Sequence, residues 1–335
     1  MARFSCDEGQ RDANMRIDQL QGVFGMKIIV TGALGHIGSA LIRDPVLVKA
    51  CKEIVIIDNF STQRFGSLFN LPSETKYTLY QGDVTEQLTT VLTESADAVI
   101  HLAGITEPLA SVSDPNWLYD NNLRITKHVA DKCAVAGTPL VFVSTTSVYT
   151  SADAVVDETC TDLAPTSPYA RCKLEEESYV LDVLRDAESA IFRLGTIFGV
   201  SPGMRFHTAV NKFCWQAACG QPIEVWSTAM DQLRPYLALS DATAVITKTV
   251  LERIYPGEIV NAVTCDVTVR DVLAAISEFG CSTNVDLVDS AVMNTLSFRT
   301  STEKAISLGF DFQGNLENDV FETLSLLRGL SAPVD

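Results

Sequence analysis

The stretch Met26-Lys27-Ile28-Ile29-Val30-Thr31-Gly32-Ala33-Leu34-Gly35-His36-Ile37-Gly38 runs from an apolar β-type segment into a turn with three glycines. A helix-like apolar stretch, Ile37 to Ile42, follows. Strand, glycine turn and helix in that order are what a dinucleotide pyrophosphate site needs. Glycine has no Cβ, so the backbone can turn tightly and approach the phosphates. The free N–H groups and positive end of the following helix then face the anion. A glycine trio alone is a weak signal. Its place in the chain gives it weight.

Working outward, seven β-type runs are visible: Lys27–Thr31, Ile54–Asp58, Tyr77–Gln81, Ala98–Leu102, Leu140–Ser144, Ala190–Leu194 and Ile259–Val263. Helical patterns separate most of them, including Trp117–Ala136, Tyr169–Arg185, Thr208–Cys219 and Asp241–Ile254. Such alternation predicts an α/β fold, a Rossmann-type doubly wound parallel sheet with helices on both faces. The runs are nearly continuously apolar, as strands covered on both faces require. From about residue 200 the pattern loosens, and Ser201-Pro202-Gly203 marks a break. We expect an N-terminal extension over 1–25, a dinucleotide-binding domain over 26–200, and a smaller, partly interleaved substrate lobe over 201–335. Segments near 234–265 are expected to return to the first domain.

A chain of 335 residues with 47% apolar and 20% charged residues can bury a core without disulfides or metals. No apolar run approaches the roughly 18 residues of a spanning helix. The first 25 residues are mixed and polar, with Arg3, Asp7, Glu8, Arg11 and Asp12, which argues against a signal peptide. They read as an extension or a short helix over Met15 to Leu20. Nine scattered cysteines without a CxxC pair suggest a reducing cytoplasm, and neither a disulfide framework nor a metal site. The net charge of −17 argues against nucleic acid and anionic membrane as partners. It leaves room for a phosphorylated small molecule, because screening over about 8–10 Å lets a few arginines act locally.

Asp58 ends the second run, twenty residues after Gly38. A carboxylate there accepts both ribose hydroxyls of an adenosine and repels a 2′-phosphate, which favours NAD over NADP. The competing reading has Asp58 capping the next turn, and nearby Arg64 blurs the preference. Asp83, after Gly82, suits the adenine amino group, the N-cap of a helix over Val84–Leu92, or both. His101-Leu102-Ala103-Gly104 closes the fourth run, where small residues let the backbone lie against a cofactor. His101 itself reads as a structural, hydrogen-bonded histidine.

Ser144-Thr145-Thr146-Ser147-Val148-Tyr149 ends the fifth run, and Ser167-Pro168-Tyr169-Ala170-Arg171-Cys172-Lys173 follows. Tyr169 and Lys173 are four apart and share one helical face. Moving a phenol from its ordinary pKa near 10 to about 7 takes roughly 4 kcal/mol. The Lys173 ammonium and an oxidised nicotinamide would supply it. Tyr169 can then take the proton of a substrate hydroxyl as hydride leaves the same carbon, with Thr145 positioning that oxygen.

With these motifs the chain resembles the extended short-chain dehydrogenases/reductases, in particular the NAD-dependent sugar-nucleotide epimerase/dehydratase family, from about Met26 to Leu327. The resemblance rests on Thr31-Gly32-x-x-Gly35-x-x-Gly38, Asp58, Gly82-Asp83, His101-Leu102-Ala103, Thr145 with Val148-Tyr149, Tyr169-x-x-x-Lys173 and Arg234-Pro235-Tyr236. It implies Tyr169 as general base, Lys173 on the nicotinamide ribose, and Thr145 as hydroxyl partner. It implies cofactor contacts from Gly32, Gly35, His36, Ile37, Gly38, Asp58, Asn59, Asp83, Val84, Leu102, Ala103, Gly104 and Asn122. There are departures. Gly104 stands for the usual alanine, Thr150 for the usual glycine, and Leu237-Ala238-Leu239 where a histidine-bearing strand is common.

Dehydratases of this family carry an Asp-Glu pair after the catalytic threonine, and decarboxylases usually a glutamate. Here Thr146-Ser147 follow. A 3,5-epimerase would want a cysteine there. The resemblance therefore points to a nucleotide-sugar 4-epimerase. A dehydratase with an acid/base from another loop (Glu107 or His207), a 4-keto reductase or dehydrogenase, and a non-catalytic dinucleotide sensor remain as alternatives. Thr146, Arg205, Asn211, Arg234 and Arg299 are candidate substrate ligands, the arginines for a diphosphate. Asn211 can instead bond the backbone, and Trp215 and Trp226 read as packing. The resemblance further implies a homodimer through Trp117–Ala136 and Tyr169–Arg185.

Overall fold

The computed structural model describes residues 25–91, 96–106, 115–150, 155–165, 167–289 and 297–329. The expected N-terminal extension and Glu107 lie outside these residues. Seven parallel strands form the central sheet: β1 (Met26–Thr31), β2 (Cys51–Asp58), β3 (Lys76–Gln81), β4 (Ala98–His101), β5 (Leu140–Thr145), β6 (Ser189–Leu194) and β7 (Ile259–Ala262). Their order across the sheet is β7-β6-β5-β4-β1-β2-β3. This is the doubly wound arrangement. The direction of winding reverses between β1 and β4, which opens a ligand crevice beyond their C-terminal ends. The glycine turn leaves β1 at that point, and Leu102 leaves β4 beside it.

All seven expected runs are strands of this sheet. β-Branched and apolar side chains satisfy both faces at once. Ile28, Val30, Ile54, Ile56 and Ile100 pack on one side with the helices His36–Leu41, Pro45–Ala50 and Leu239–Glu252. Ile29, Val55, Ile57, Val99 and Phe142 pack on the other with Val84–Val91, Pro115–Ala136 and Pro168–Val183. β3 departs from the continuous apolar pattern. It is an edge strand, and Leu79 on it is exposed. An edge strand has one neighbour and less cover, so alternation suffices there.

Local signals set the helix starts. The Asp44 carboxylate accepts from the amides of Val46 and Leu47, with Pro45 in the first turn. Ser167 accepts from the amide of Ala170, and Pro168 follows it. The second of these starts fixes where Tyr169 and Lys173 begin their shared face.

After residue 195 a second core forms. Phe198, Val210, Phe213, Ile223, Tyr236, Val272, Ile276 and Val320 pack together. A small sheet of Thr196–Phe198, Arg234–Ala238 and Cys265–Val267 borders it. The helix Leu239–Glu252 and β7 return to the main core. The two layers are thus interleaved in sequence. No described helix is long and apolar enough to cross a membrane.

Candidate active site

The glycine turn is built for close approach. Gly32 has φ +65°, and a Cβ there would lie 2.6 Å from the Ala103 amide nitrogen. A Cβ on Gly38 would lie 2.6 Å from Ala33 Cα. Gly35 has no comparable clash within the protein; its nearest neighbour is the Gly32 carbonyl oxygen at 3.2 Å. Two of the three glycines therefore serve the fold, bringing the end of β4 and the following helix against the turn, and the third, Gly35, lies beside Gly203. Ile37 is partly buried against the main core.

Asp58 caps the backbone on both sides of its position. Its Oδ2 accepts from the Leu34 amide at 3.1 Å, and its Oδ1 from the Phe60 amide at 2.9 Å. A carboxylate oxygen has a further lone pair for a ribose hydroxyl. Asn59 is exposed and accepts from the Ser61 amide. Arg64, beyond it, donates to the Gly203 carbonyl at 3.0 Å, and burial beside Arg205 brings its pKa to about 10. Asp83 accepts from the amide and hydroxyl of Thr85 and forms an ion pair with Arg124 at 2.7 Å. Those bonds hold its carboxyl far below the usual range. Val84 next to it is buried.

His101 is buried as a structural residue, 2.7 Å from Thr31 Oγ1 through Nδ1 and 3.2 Å from Thr126 Oγ1 through Nε2. Burial drives its pKa to about 3 and keeps the ring neutral. Leu102, Ala103 and Gly104 then emerge partly exposed into the crevice. Asn122 clamps this segment. Its amide accepts from the Ile105 N–H at 2.8 Å and donates to the Ile105 carbonyl at 2.9 Å. With 1% exposure, Asn122 shapes the cofactor wall through the backbone. A Cβ on Gly104 would sit 3.6 Å from the Asn122 amide, an ordinary contact, so packing does not demand this departure from alanine.

Thr145 ends β5, and its hydroxyl accepts from the Ser147 amide at 3.1 Å. The helix Pro168–Val183 packs beside β5 and brings Tyr169 and Lys173 to the same region. Lys173 Nζ lies 4.7 Å from the centre of the Phe142 ring and 3.0 Å from Glu176 Oε2. The protein's own charges do not lower the Tyr169 phenol. Burial raises it, Lys173 and Arg205 pull it down, and Glu176 pushes it up, with the net above the ordinary value. A descent toward neutrality would need a further positive charge beside Lys173, such as the oxidised nicotinamide.

Two expected substrate ligands are engaged within the protein itself. Thr146 is 3% exposed, and its hydroxyl donates to the Leu194 carbonyl at 3.3 Å. Asn211 is fully buried; it donates to the Arg205 carbonyl at 3.0 Å and accepts from the Gly199 amide at 3.4 Å. Both brace the loops around the site. Arg205 is partly buried, donates to the Thr106 hydroxyl, and acts on Tyr169, His36, His207 and Arg64. Arg234 and Arg299 lie on neighbouring strands of the second layer, Arg234–Ala238 and Arg299–Thr300, with Arg299 exposed. His207 has its pKa lowered to about 4 by burial and by the two arginines, which leaves it neutral near pH 7.

The departures have local causes. Thr150 donates to the Asp162 carbonyl at 2.8 Å and accepts from the Ala164 amide at 2.9 Å, pinning the loop before Tyr169. Leu237 and Ala238 are fully buried in the two cores. Trp215 and Trp226 are partly exposed, and Trp215 leans on Phe206.

A second lobe segment closes on the turn, a feature sequence reasoning missed. His36 Nε2 meets the Gly199 carbonyl at 2.9 Å, and Ser201 donates to the His36 carbonyl at 2.9 Å. A Cβ on Gly203 would lie 2.4 Å from the carbonyl oxygens of Leu34 and Gly35. The Ser-Pro-Gly motif carried the signal, but was read as a break.

The geometry fits a dinucleotide: a glycine turn at the winding reversal, a ribose-type carboxylate beyond it, and an open strand end at Ala103. The sequence model of the NAD dependent epimerase/dehydratase family matches residues 28–262. An uncharacterized UDP-glucose epimerase, YtcB, of Bacillus subtilis (strain 168) is 30% identical over 248 residues, 70% of this chain and 76% of that protein. A UDP-glucose 4-epimerase of Neisseria meningitidis serogroup B is 34% identical over 166 residues, 47% of this chain and 48% of its own length. In fold, the UDP-glucose 4-epimerase of Thermus thermophilus, in complex with NAD, matches 91% of this chain and 99% of its own, with TM-score 0.76 and 22% identity.

Proposed function

The chain belongs to the NAD-dependent epimerase/dehydratase family, and from that premise we propose that it is a nucleotide-sugar 4-epimerase. The observation that carries this reading is a site with Thr145, Tyr169 and Lys173 but with Thr146 and Ser147 after the threonine. Thr146 is buried, and Ser147 has no carboxylate. Elimination of water needs a proton donor and a base at neighbouring carbons. Epimerisation needs only one group that takes a proton and returns it.

When bound, NAD supplies the acceptor and later the donor of hydride at the sugar carbon. Gly32, Gly35 and Gly38 would hold its pyrophosphate, Asp58 its adenosine ribose, and Lys173 its nicotinamide ribose. Tyr169 Oη takes the proton of the C4 hydroxyl and gives it back when the 4-ketone is reduced on the other face. Thr145 Oγ1 hydrogen-bonds the same oxygen and limits its positions. Arg234 and Arg299 would take the diphosphate, and Arg205 faces the sugar end beside Tyr169. In this reading residues 26–200 with β7 bind the cofactor, and 201–335 mainly bind the substrate. We further propose a homodimer through the helices Pro115–Ala136 and Pro168–Val183, acting in the cytoplasm.

Incubation with a panel of UDP-, GDP-, dTDP- and CDP-sugars, followed by NMR, tests the reading. C4 inversion supports it, as does a relative named for UDP-glucose. Loss of water, loss of carbon dioxide, or net cofactor turnover would sink it. The last of these is the mark of the 4-keto reductase alternative.

A further inference from the structure

The helix Pro168–Val183 carries two adjacent buried carboxylates, Glu176 and Glu177. Glu177 pairs with Arg193. Glu176 has other partners. Its Oε2 lies 3.0 Å from Lys173 Nζ, with the two side chains 1% and 6% exposed. Its Oε1 accepts from the Thr126 hydroxyl at 2.5 Å. Thr126 Oγ1 lies 3.2 Å from His101 Nε2, and His101 Nδ1 lies 2.7 Å from Thr31 Oγ1. The Ala103 amide donates to Thr31 Oγ1 at 3.3 Å.

Donors order this chain. Thr31 accepts from the Ala103 amide and gives its own proton to Nδ1. The His101 proton then sits on Nε2 and faces Thr126, whose proton goes to Glu176. The chain therefore runs from the backbone of the cofactor wall, through a neutral His101, to a carboxylate that ends on Lys173. A neutral polar residue would satisfy Thr126 as well. Only a carboxylate also balances the ammonium.

That balance bears on Tyr169. Among the described residues, the groups acting on the phenol are Lys173 and Arg205, which favour phenolate, and Glu176 and Cys172, which oppose it. Cys172 has its thiol pushed up to about 12 by burial, so it is neutral at ordinary pH. Glu176 is thus the one anion of that set. Lys173 in turn faces Glu176, Tyr169 and Cys172.

We propose that Glu176 is a positioning residue that anchors the Lys173 ammonium and offsets its charge, so that the pH range in which Tyr169 works is set by three residues on one helix. This rests on Tyr169 as the proton-transferring group. The test is a tyrosinate absorbance titration of the NAD-loaded protein, with the matching Tyr169→Phe protein subtracted. The Tyr169 midpoint is expected to fall by about one pH unit in Glu176→Gln, where the shape stays and the charge goes. The acid limb of kcat/KM moves with it. Thr126→Val cuts the chain but keeps the carboxylate, and is expected to leave the midpoint in place. A merely structural role would move both variants alike. A midpoint that stays or rises in Glu176→Gln overturns the proposal. Glu176→Leu reads the same quantity, and failure of both variants to fold would also overturn it. The titration needs no substrate, so a shift without any sugar turnover would count against the epimerase reading alone.

Discussion

The amide of Gly203 donates to the hydroxyl of Ser39 at 2.9 Å, joining the loop beyond residue 198 to the helix that follows the glycine turn. Ser39 also meets Ser201 at 3.0 Å, and Arg64 holds the Gly203 carbonyl. The turn that would hold the pyrophosphate is therefore covered by a segment from the second layer. Closing a site in this way slows release of whatever lies beneath it.

Substituting Gly203→Ala places a methyl 2.4 Å from two carbonyl oxygens, so the loop must retreat. NAD affinity is expected to fall about ten-fold or more, equivalent to roughly 1.4 kcal/mol. Nicotinamide released on denaturing the purified protein, together with a titration of the stripped protein, measures this. Unchanged retention would show that the loop does not cover the cofactor.

Asp58 carries the cofactor choice. Asp58→Asn keeps an acceptor for only one of the Leu34 and Phe60 amides, and it removes the charge that repels a 2′-phosphate. The preference for NAD over NADP is expected to narrow roughly ten-fold or more, about 1.4 kcal/mol. Dissociation constants for the two cofactors check it. An unaltered ratio would assign the choice to another group, with Arg64 the first to examine.

Two buried histidines make the fold acid-sensitive. Burial brings His36 to about 4 and His101 to about 3, against an ordinary 6.5. Both are neutral in the fold above these values, while the unfolded chain takes up protons below 6.5. Stability at neutral pH is therefore unaffected by them and is lost as pH falls from 6.5 toward 4. At pH 5 each contributes a loss of about 2 kcal/mol. His36→Gln, which can still donate to the Gly199 carbonyl, is expected to flatten the fall in urea midpoint between pH 7 and pH 5. A parallel fall in both proteins would contradict the assignment.

Glu177 and Arg193 form a buried pair at 2.7 Å, with side chains 3% and 2% exposed. Arg193 also lies over the Tyr149 ring, and Ser144 donates to Glu177 Oε1. Removing one partner strands the other charge. Glu177→Ala is expected to cost about 3–5 kcal/mol in chemical denaturation. A cost below about 1 kcal/mol would mean that water reaches Arg193.

The central sheet was readable because most of its strands are local apolar runs, and burial on both faces leaves that signature; the edge strand Lys76–Gln81 shows it least. The small strands are a different matter. Ile223–Trp226 pairs with Val285–Val288, and Thr196–Phe198 with Arg234–Ala238. These partners are distant in sequence and the strands too short to carry a period. The Tyr169 and Lys173 pair was legible from spacing. The burial of Thr146, after a strand end, and of Asn211, in the helix Ala209–Ala218, was not legible, because side-chain direction depends on what packs there. The burial of Glu176 and Glu177 had no local signal, because their partners Thr126 and Arg193 come from other elements.

The most direct test uses a sugar nucleotide deuterated at C4, in ordinary water, with the purified protein and no added nicotinamide. The proposed cycle predicts C4 inversion with deuterium kept at C4 and no exchange with solvent. Tyr169→Phe is expected to cut the rate by about 10²–10⁴-fold while the protein stays folded. Loss of the C4 deuterium to water, or turnover only with added nicotinamide, would contradict the account.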